Sequence, residues 1–145
     1  MITNNLIGTF YVTQIMAKTF FIPQKEGNIV NIIANIYKGF PGMVHTGAAR
    51  AGVDNLTKTL AIEWVRYNIR VNAIAPGIIL SSGLDTYPPA ILKGITDGIP
   101  NKRMGTMEEV GWSVLFLSSP MSTYTSGVTL YVDGGNHLWG DQWKM

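Results

Sequence analysis

The residue types that could do chemistry lie mainly on one predicted helix and at the ends of predicted strands. Thr46 and Arg50 are four residues apart, which is about one helical turn, so their side chains can reach the same cleft. A threonine hydroxyl cannot act as a general acid near neutral pH, whereas arginine keeps a positive charge that could pair with a carboxylate. His45, just before the helix, could cap it or contact a substrate. The pair Thr46 and Arg50 therefore offers polar contacts and charge rather than proton transfer.

Composition excludes several other kinds of site. The 145 residues include no cysteine, which excludes disulfides, thiolate metal sites and a cysteine nucleophile. The 11 Lys and Arg residues are scattered and the net charge is +2, so we expect no nucleic-acid partner. No run of 18 apolar residues predicts a membrane span. Residues 1–5 do not resemble a signal peptide and residues 141–145 are not a peroxisomal Ser-Lys-Leu address, which leaves the compartment open between cytoplasm and peroxisome.

Six predicted elements must position these residues. They follow in the order helix 3–21, strand 28–33, helix 46–67, strand 69–75, a helix opened at 106–109, and strand 128–132. The first helix is apolar on most faces, so we expect it to be well buried and to end before Pro23. Runs of branched residues predict the strands, and Thr106 with Glu109 forms a capping box.

This alternation predicts an α/β fold built on a parallel sheet. A strand, a helix and a strand joined by short connections form a right-handed unit in which the strands run parallel. The whole chain is about half of a doubly wound sheet and forms one domain, 1–145. Pro76 and Gly77 end the second strand, at the edge where such folds bind ligands. Residues 78–105, rich in Gly and Pro, are predicted to form a loop or lid, and Asp133-Gly134-Gly135 a tight turn.

Six short motifs occur in order along nearly the whole chain. They are Asn5-Leu-Ile-Gly8, Gly27-Asn-Ile-Val-Asn31, Gly47-Ala-Ala-Arg-Ala-Gly-Val53, Ile69-Arg-Val-Asn72, Pro76-Gly77 and Val132-Asp-Gly-Gly135. This series resembles the C-terminal half of the short-chain dehydrogenase/reductase family, with a partial Rossmann-like sheet. The segment 45–64 is most similar to the peroxisomal trans-2-enoyl-CoA reductase branch. The resemblance implies NADPH-dependent reduction of an acyl-CoA-like substrate, a 2-enoyl-CoA thioester; NAD is the other possible cofactor.

The same resemblance assigns roles to residues of this chain. Asn5 would order a water molecule, Arg50 would contact the nicotinamide ribose, and residues 80–105 would cover the acyl chain. Pro76, Gly77, Ile78 and Ile79 would hold the nicotinamide. Thr46 occupies the position of the family's catalytic tyrosine and Arg50 that of its lysine. The family's serine falls on Ile33 or Ala34, neither of which has a hydroxyl, so Tyr37 is the substitute candidate for a proton donor; otherwise it is an aromatic residue of the substrate channel.

One feature that the family's cofactor binding requires is missing from the sequence. A Gly-x-Gly motif, which would cradle the pyrophosphate, occurs nowhere in the 145 residues. We therefore expect a truncated domain that lacks the N-terminal phosphate-binding half and binds dinucleotide weakly or not at all by itself. An open strand edge and uncovered helix faces should accompany this truncation. Helices 3–21 and 46–67 form a subunit interface in the family, so a homo-oligomer is expected.

Two alternatives to the enoyl-CoA reductase remain. The chain could be a non-catalytic fragment that acts only as a helix-mediated association module, which the missing cofactor loop favours. It could also descend from a carbonyl reductase or alcohol dehydrogenase, although the absence of a Tyr-x-x-x-Lys pair counts against this reading.

Overall fold

Three parallel strands form the centre of the computed structural model, which describes residues 1–138. The strands are β1 (Gly27–Ile32), β2 (Ile69–Pro76) and β3 (Thr129–Val132), and their spatial order is β1-β2-β3. β1 pairs with β2 in parallel from Gly27 opposite Ile69, and β3 pairs with β2 from Thr129 opposite Ala73. The predicted α/β fold with a partial doubly wound parallel sheet is confirmed. Residues 141–145, considered above as a targeting address, lie outside the described residues.

The first helix, α1, spans residues 3–24 and alternates between two hydrogen-bonding patterns. Thr3–Ile7 and Ala17–Phe21 are π-helical, whereas Gly8–Met16 and Ile22–Gln24 are α-helical. The prediction that this helix ends before Pro23 is wrong. Hydrogen bonding changes after the second π-helical turn, so Pro23 lies in the first turn of a new α-helical segment, where its missing N–H is not required. The helix ends instead at Lys25, whose φ is 55°.

Two further helices flank the sheet. These are α2 (Val44–Glu63) and α3 (Met107–Ser118), and separate short turns occur at Val65–Tyr67, Ser82–Thr86, Pro89–Leu92 and Pro120–Ser122. α3 begins with the predicted capping box: the Glu109 N–H donates to Thr106 Oγ1 (3.3 Å) and the Thr106 N–H donates to Glu109 Oε2 (2.8 Å). The loop predicted at 78–105 contains two of the short turns and ends at Gly105, which forms a parallel bridge with Ile79.

The core lies between the sheet and α2. Its buried apolar residues form two clusters, Ile33, Val53, Ala73 and Ala75 near one end of the sheet and Leu60, Ala61, Ile69 and Val71 near the other. Within this layer Asn31 Nδ2 donates to Thr57 Oγ1 at 2.9 Å, and the Thr57 hydroxyl donates to the Val53 carbonyl at 2.9 Å. These bonds satisfy the polar groups that β1 buries beneath α2, and they fix α2 on the strand.

The prediction that α1 is well buried is wrong. Only Thr13 and Ala17 of this helix are buried, whereas Val12 is 63% exposed and Ile15 is 59% exposed. α1 rests on one flank, where Leu6 lies so close to Gly52 of α2 that a β-carbon there would come within 2.8 Å of the leucine side chain. No part of the described chain covers the other flank. The structure thus has the uncovered helix face expected above.

β1 has one paired edge and one open edge. Ile33 N donates to the Ile74 carbonyl and Asn35 N to the Pro76 carbonyl, so odd-numbered residues of β1 direct their backbone groups toward β2. In a parallel ladder the backbone groups of the intervening residues point the opposite way. The N–H and C=O of Ile32 therefore face the open edge, where no strand of residues 1–138 pairs with them. None of the helices within these residues combines the length and hydrophobicity needed to cross a membrane.

Candidate active site

A cleft of about 270 Å³ opens at the carboxyl ends of β1 and β2. Its walls come from the loop after β1, from Pro76, Gly77 and Ile78, and from Asn136. This is the edge at which doubly wound sheets bind ligands. The structure therefore brings three of the four residues predicted to hold a nicotinamide into one cleft, and Ile79 follows directly in the bridge to Gly105.

Gly77 is required at this point by the close approach of another backbone segment. Its N–H donates to the Val132 carbonyl at 3.0 Å, which joins the ends of β2 and β3. A β-carbon at residue 77 would lie 2.7 Å from Asp133 Cβ and 2.8 Å from Asp133 Cα. Because one of these atoms is backbone, a side chain could fit only if the strand end moved. Gly77 thus allows the ends of β2 and β3 to pack directly against each other.

Arg50 lies at the margin of this region but contacts the sheet itself. Its Nη1 donates to the carbonyl oxygen of Ile32 at 2.7 Å, at the open edge of β1. Thr46, one helical turn earlier, is half-buried, and its backbone N–H donates to the Met43 carbonyl at 2.9 Å. The Thr46 hydroxyl has no hydrogen-bond partner within residues 1–138. The side chains of Thr46 and Arg50 share a helix flank, but they make no hydrogen bond to each other.

Asn5 and His45 stand apart from the cleft. Asn5 is in the first turn of α1, where its Nδ2 contacts Met1 Sδ at 2.7 Å and its carbonyl accepts the Thr9 hydroxyl at 3.0 Å. It is not among the residues that line the cleft. His45 is exposed at the start of α2, and its ring makes no hydrogen bond within the described part of the chain; it does not cap the helix.

A buried carboxylate joins the ends of β1 and β3. The Asp133 side chain is 2% exposed, and its two oxygens accept hydrogen bonds from several donors at once. The donors are Asn35 Nδ2 (2.8 Å), the backbone N–H of Gly135 (3.0 Å), the backbone N–H of His137 (2.7 Å) and His137 Nδ1 (2.9 Å). Gly134 and Gly135 have φ values of 63° and 85°, which allow the chain to fold back over the carboxylate. The predicted tight turn is present, and it also anchors a histidine.

Three aromatic rings lie beside this carboxylate. The imidazole of His137 stacks on Tyr131, with ring centres 4.1 Å apart and an interplanar angle of 13°. Tyr37, 65% exposed, is edge-on to both rings, at 6.2 Å from Tyr131 and 5.9 Å from His137. Burial raises the pKa of the Tyr131 phenol, and the negative charge of Asp54 raises it further. Tyr131 is therefore protonated near neutral pH and serves as a platform for the imidazole.

Sequence reasoning missed Asn35, Tyr131 and His137 as members of this site. One signal was available: His137 is one of only two histidines and follows an aspartate by four residues. In a turn or helix that spacing brings the two side chains together. The stacking on Tyr131 had no sequence signal, because it depends on where the turn after β3 folds back.

Comparison with known proteins defines the class. Residues 1–137 match the family described as enoyl-(acyl carrier protein) reductase. Together with the parallel sheet and the cleft at its carboxyl edge, this match shows that the chain belongs to the short-chain dehydrogenase/reductase family. The family predicted from the six motifs is confirmed.

Several relatives are similar over almost the whole chain. The peroxisomal 2,4-dienoyl-CoA reductase of Mus musculus is 44% identical over 138 residues, which cover 91% of this chain and 46% of that protein. The 3-oxoacyl-(acyl-carrier-protein) reductase FabG of Thermotoga maritima is 42% identical over 137 residues, covering 93% of this chain and 55% of that protein. A gluconate 5-dehydrogenase from Burkholderia cenocepacia, solved in complex with NADP and tartrate, has a TM-score of 0.86 and 31% identity over 94% of this chain and 54% of its own. The chain thus spans about half the length of the relatives it matches.

Proposed function

We propose that this chain forms the nicotinamide- and substrate-facing half of an NADPH-dependent reductase of 2-enoyl-CoA thioesters. The observation that carries the proposal is the cleft at the carboxyl ends of β1 and β2, lined by Pro76, Gly77 and Ile78. Its support is the 44% identity to a peroxisomal 2,4-dienoyl-CoA reductase over 91% of the chain.

The chemistry of this reaction is compatible with Thr46 at the position of the family's catalytic tyrosine. Reduction of a C=C bond conjugated to a thioester needs a hydride at the β carbon and a proton at the α carbon. NADPH, when bound, supplies the hydride. A tyrosine that protonates a carbonyl is not needed, so Thr46 can line the site without donating a proton, and Ile33 or Ala34 need not supply a hydroxyl. The same substitutions argue against a carbonyl reductase or alcohol dehydrogenase, although FabG is 42% identical.

The cleft suits the nicotinamide end of the cofactor, but the chain offers no motif for its pyrophosphate. With no β-carbon on Gly77, a planar ring can approach the ends of β2 and β3 between Pro76 and Ile78. Arg50 can contact a ribose if its guanidinium leaves the Ile32 carbonyl. No Gly-x-Gly motif is present for the pyrophosphate, so these residues alone should hold NADP weakly. Residues 1–138 contain no strand that would discriminate NADP from NAD, and NAD remains the second candidate.

Tyr37 is proposed to line the substrate channel. Its exposed ring leans edge-on against Tyr131 and His137 at the end of the sheet, which supports the channel-lining role over that of proton donor. Asn5 would act only through an ordered water molecule, because it does not line the cleft itself.

The first test is a titration of the purified 145-residue chain with NADPH. Binding is monitored by fluorescence or calorimetry, at a known oligomeric state of the chain. We expect saturable, weak binding that Arg50→Ala weakens further and that Arg66→Ala, on the surface beyond α2, leaves unchanged. Crotonyl-CoA should then be reduced in preference to a ketone substrate. If the folded chain shows no binding up to millimolar NADPH, the enzyme proposal for this chain is wrong.

A second candidate function, association through helices, has its own observation. An apolar groove of about 520 Å³ runs between α1 and α2, and Leu6, Phe10, Tyr11 and Leu56 line it. Phe10 and Tyr11 are 39% and 56% exposed, and such a surface favours burial against another protein surface. We propose that two or more copies of the chain associate through α1 and α2, with or without catalysis.

The oligomeric state tests this second candidate. Light scattering coupled to size exclusion should show a dimer or larger species for the parent chain. Tyr11→Lys should shift it toward monomer, whereas Tyr124→Lys, at a fully exposed tyrosine far along the chain, should not. A parent chain that is monomeric at 100 μM, or two variants that behave alike, would contradict the association proposal.

A further inference from the structure

We infer that His137 is the proton donor of this site and that Asp133 positions it. The inference rests on the proposed function, because it assigns the acid that the enoyl-CoA reduction requires. The observation that carries it is the hydrogen-bonded and stacked arrangement of the imidazole beside the cleft. None of the positions that the family uses for a catalytic hydroxyl supplies one here except Thr46, which is too weak an acid.

The imidazole is held in one orientation by three contacts. Its Nδ1 lies 2.9 Å from Asp133 Oδ2, its own backbone N–H donates to the same carboxylate, and its ring stacks on Tyr131 at 4.1 Å. A carboxylate beside Nδ1 retains the proton on that nitrogen. Nε2 makes no hydrogen bond within residues 1–138, so it is the nitrogen that can exchange a proton with a ligand. This is the division of roles expected of an oriented acid.

The same contacts place the imidazole beside the cleft. Asn35 lines the cleft and donates to Asp133, and Asn136, which also lines it, is the residue before His137. The imidazole is 19% exposed, so it is not fully buried. Tyr37 is edge-on to the imidazole, with ring centres 5.9 Å apart. The acid and the channel-lining aromatic residue therefore share one end of the site.

The charged and titratable groups around His137 come from three segments. The turn after β3 contributes Asp133, and β3 itself contributes Tyr131. The loop after β1 contributes Tyr37 and Lys38, and Lys38 Nζ donates to the carbonyl of Asn136 at 3.1 Å. Asp133 is the only carboxylate hydrogen-bonded to the ring in the described structure.

The proton transfer balances as follows. NADPH, when bound, would supply the hydride that forms the C–H bond at the β carbon; the C=C electron pair would move toward the thioester, and NADP⁺ would be the oxidised product. The imidazolium Nε2–H bond then breaks as the proton forms a C–H bond at the α carbon. His137 is left neutral with its Nδ1–H still directed at Asp133, and Nε2 regains a proton from water. The substrate gains two electrons and two hydrogens in total.

The test compares His137→Gln with His45→Gln, which alters the other histidine, an exposed residue without side-chain hydrogen bonds in the described structure. With NADPH and crotonyl-CoA we expect His137→Gln to lower kcat by 10²-fold or more, in the range typical of a general acid, with binding of both ligands unchanged. His45→Gln should match the parent. His137→Phe, which keeps the stacking on Tyr131, serves if the Gln variant does not fold.

A second readout does not need turnover. Imidazole ¹⁵N spectra should show the His137 proton on Nδ1 in the neutral form, and Asp133→Asn should abolish that preference. Crotonyl-CoA should shift the Nε2 resonance of His137 and not that of His45. If NADPH and crotonyl-CoA bind but His137 Nε2 does not respond, or if His137→Gln keeps half of the parent kcat, the assignment is wrong while the proposed function stands. If neither ligand binds, both are wrong.

Discussion

Arg50 donates a hydrogen bond from Nη1 to the carbonyl oxygen of Ile32, 2.7 Å away, across the open edge of β1. The backbone groups of Ile32 point away from β2 because its neighbours, Asn31 and Ile33, use theirs in the ladder. The guanidinium therefore occupies the place of a backbone donor from an adjoining strand. The residue that the resemblance assigns to a cofactor ribose protects a strand edge in this chain.

Removal of this guanidinium should expose the edge. We expect Arg50→Ala to lower the free energy of unfolding by about 0.5–1.5 kcal/mol, because the hydrogen bond is charged but solvent-accessible. An unpaired edge also promotes strand-to-strand association, so the variant should scatter more light at equal concentration. Urea unfolding and static light scattering measure the two effects.

Arg50→Lys and Arg66→Ala are the controls for this prediction. Lysine can reach the carbonyl with a single donor and should recover part of the stability. Arg66 lies over the ring of Tyr67 and away from β1, so its loss should not raise scattering. Equal scattering for the two alanine variants would show that Arg50 does not protect the edge.

Asp133 should be among the most sensitive polar positions in the chain. Asp133→Ala leaves Asn35 Nδ2 and two backbone N–H groups without their acceptor in a buried region, which we expect to cost about 2–4 kcal/mol. Asp85→Ala, at an exposed aspartate, should change stability by less than about 0.5 kcal/mol. Thermal unfolding of the two variants measures the difference, and similar values would refute the structural role of Asp133.

Two glycine substitutions should act in opposite directions. Gly77→Ala places a β-carbon against Asp133 Cα and should destabilise the chain by about 1–3 kcal/mol. Gly111→Ala, inside α3 with open space around the new methyl group, should stabilise it by about 0.5–1 kcal/mol through helix propensity. Circular dichroism melts decide the signs. A stabilised Gly77→Ala would mean that the ends of β2 and β3 are farther apart than described.

The start of α3 should lose stability in acid. The Arg103 guanidinium lowers the pKa of Glu109 to about 2, and hydrogen bonding from the Thr106 backbone contributes to the same shift. A carboxyl whose pKa is lower in the folded than in the unfolded state stabilises the fold above its unfolded pKa, near 4.5. That stabilisation should disappear as pH falls from about 4.5 to about 2.

Glu109→Gln isolates this effect, because glutamine can still complete a capping box but carries no charge. The variant should show a shallower loss of stability over that pH range, and Glu63→Gln, at an exposed helix-end residue, should retain the parent slope. A ¹³C titration of the Glu109 carboxyl gives its pKa directly; a value near 4.5 would contradict the prediction.

Elements whose signals are local were predictable from the sequence. Branched runs identified the strands to within a residue or two, and the pair Thr106 and Glu109 identified the start of α3 because both capping contacts lie within one turn. The boundary at Pro23 was missed because proline is compatible with a helix wherever its N–H is not needed, and the π-helical turn before it created such a place.

The site was less predictable because its contacts depend on three-dimensional placement. The pattern of residues in the sequence showed that α1 is apolar. It did not show which flank of α1 packs against another element of the chain. The contact of Arg50 with Ile32 depends on which backbone groups of β1 point toward β2 and which point to the open edge. This can be known only from the register in which the two strands pair. His137 meets Tyr131 only because the turn after β3 folds back, whereas Pro76 and Gly77 were found early because a strand end is marked in the sequence itself.

The bond between Asn35 and Asp133 has a consequence for the way the sheet opens. β1 and β3 are not neighbours, yet this bond passes over the end of β2 and connects the residues that follow them. Neither outer strand can detach at its carboxyl end without breaking a contact to the other. The three strand ends should therefore open as one cooperative unit, with the amides of Asn35, Gly77 and Gly135 exchanging with solvent at a common free energy.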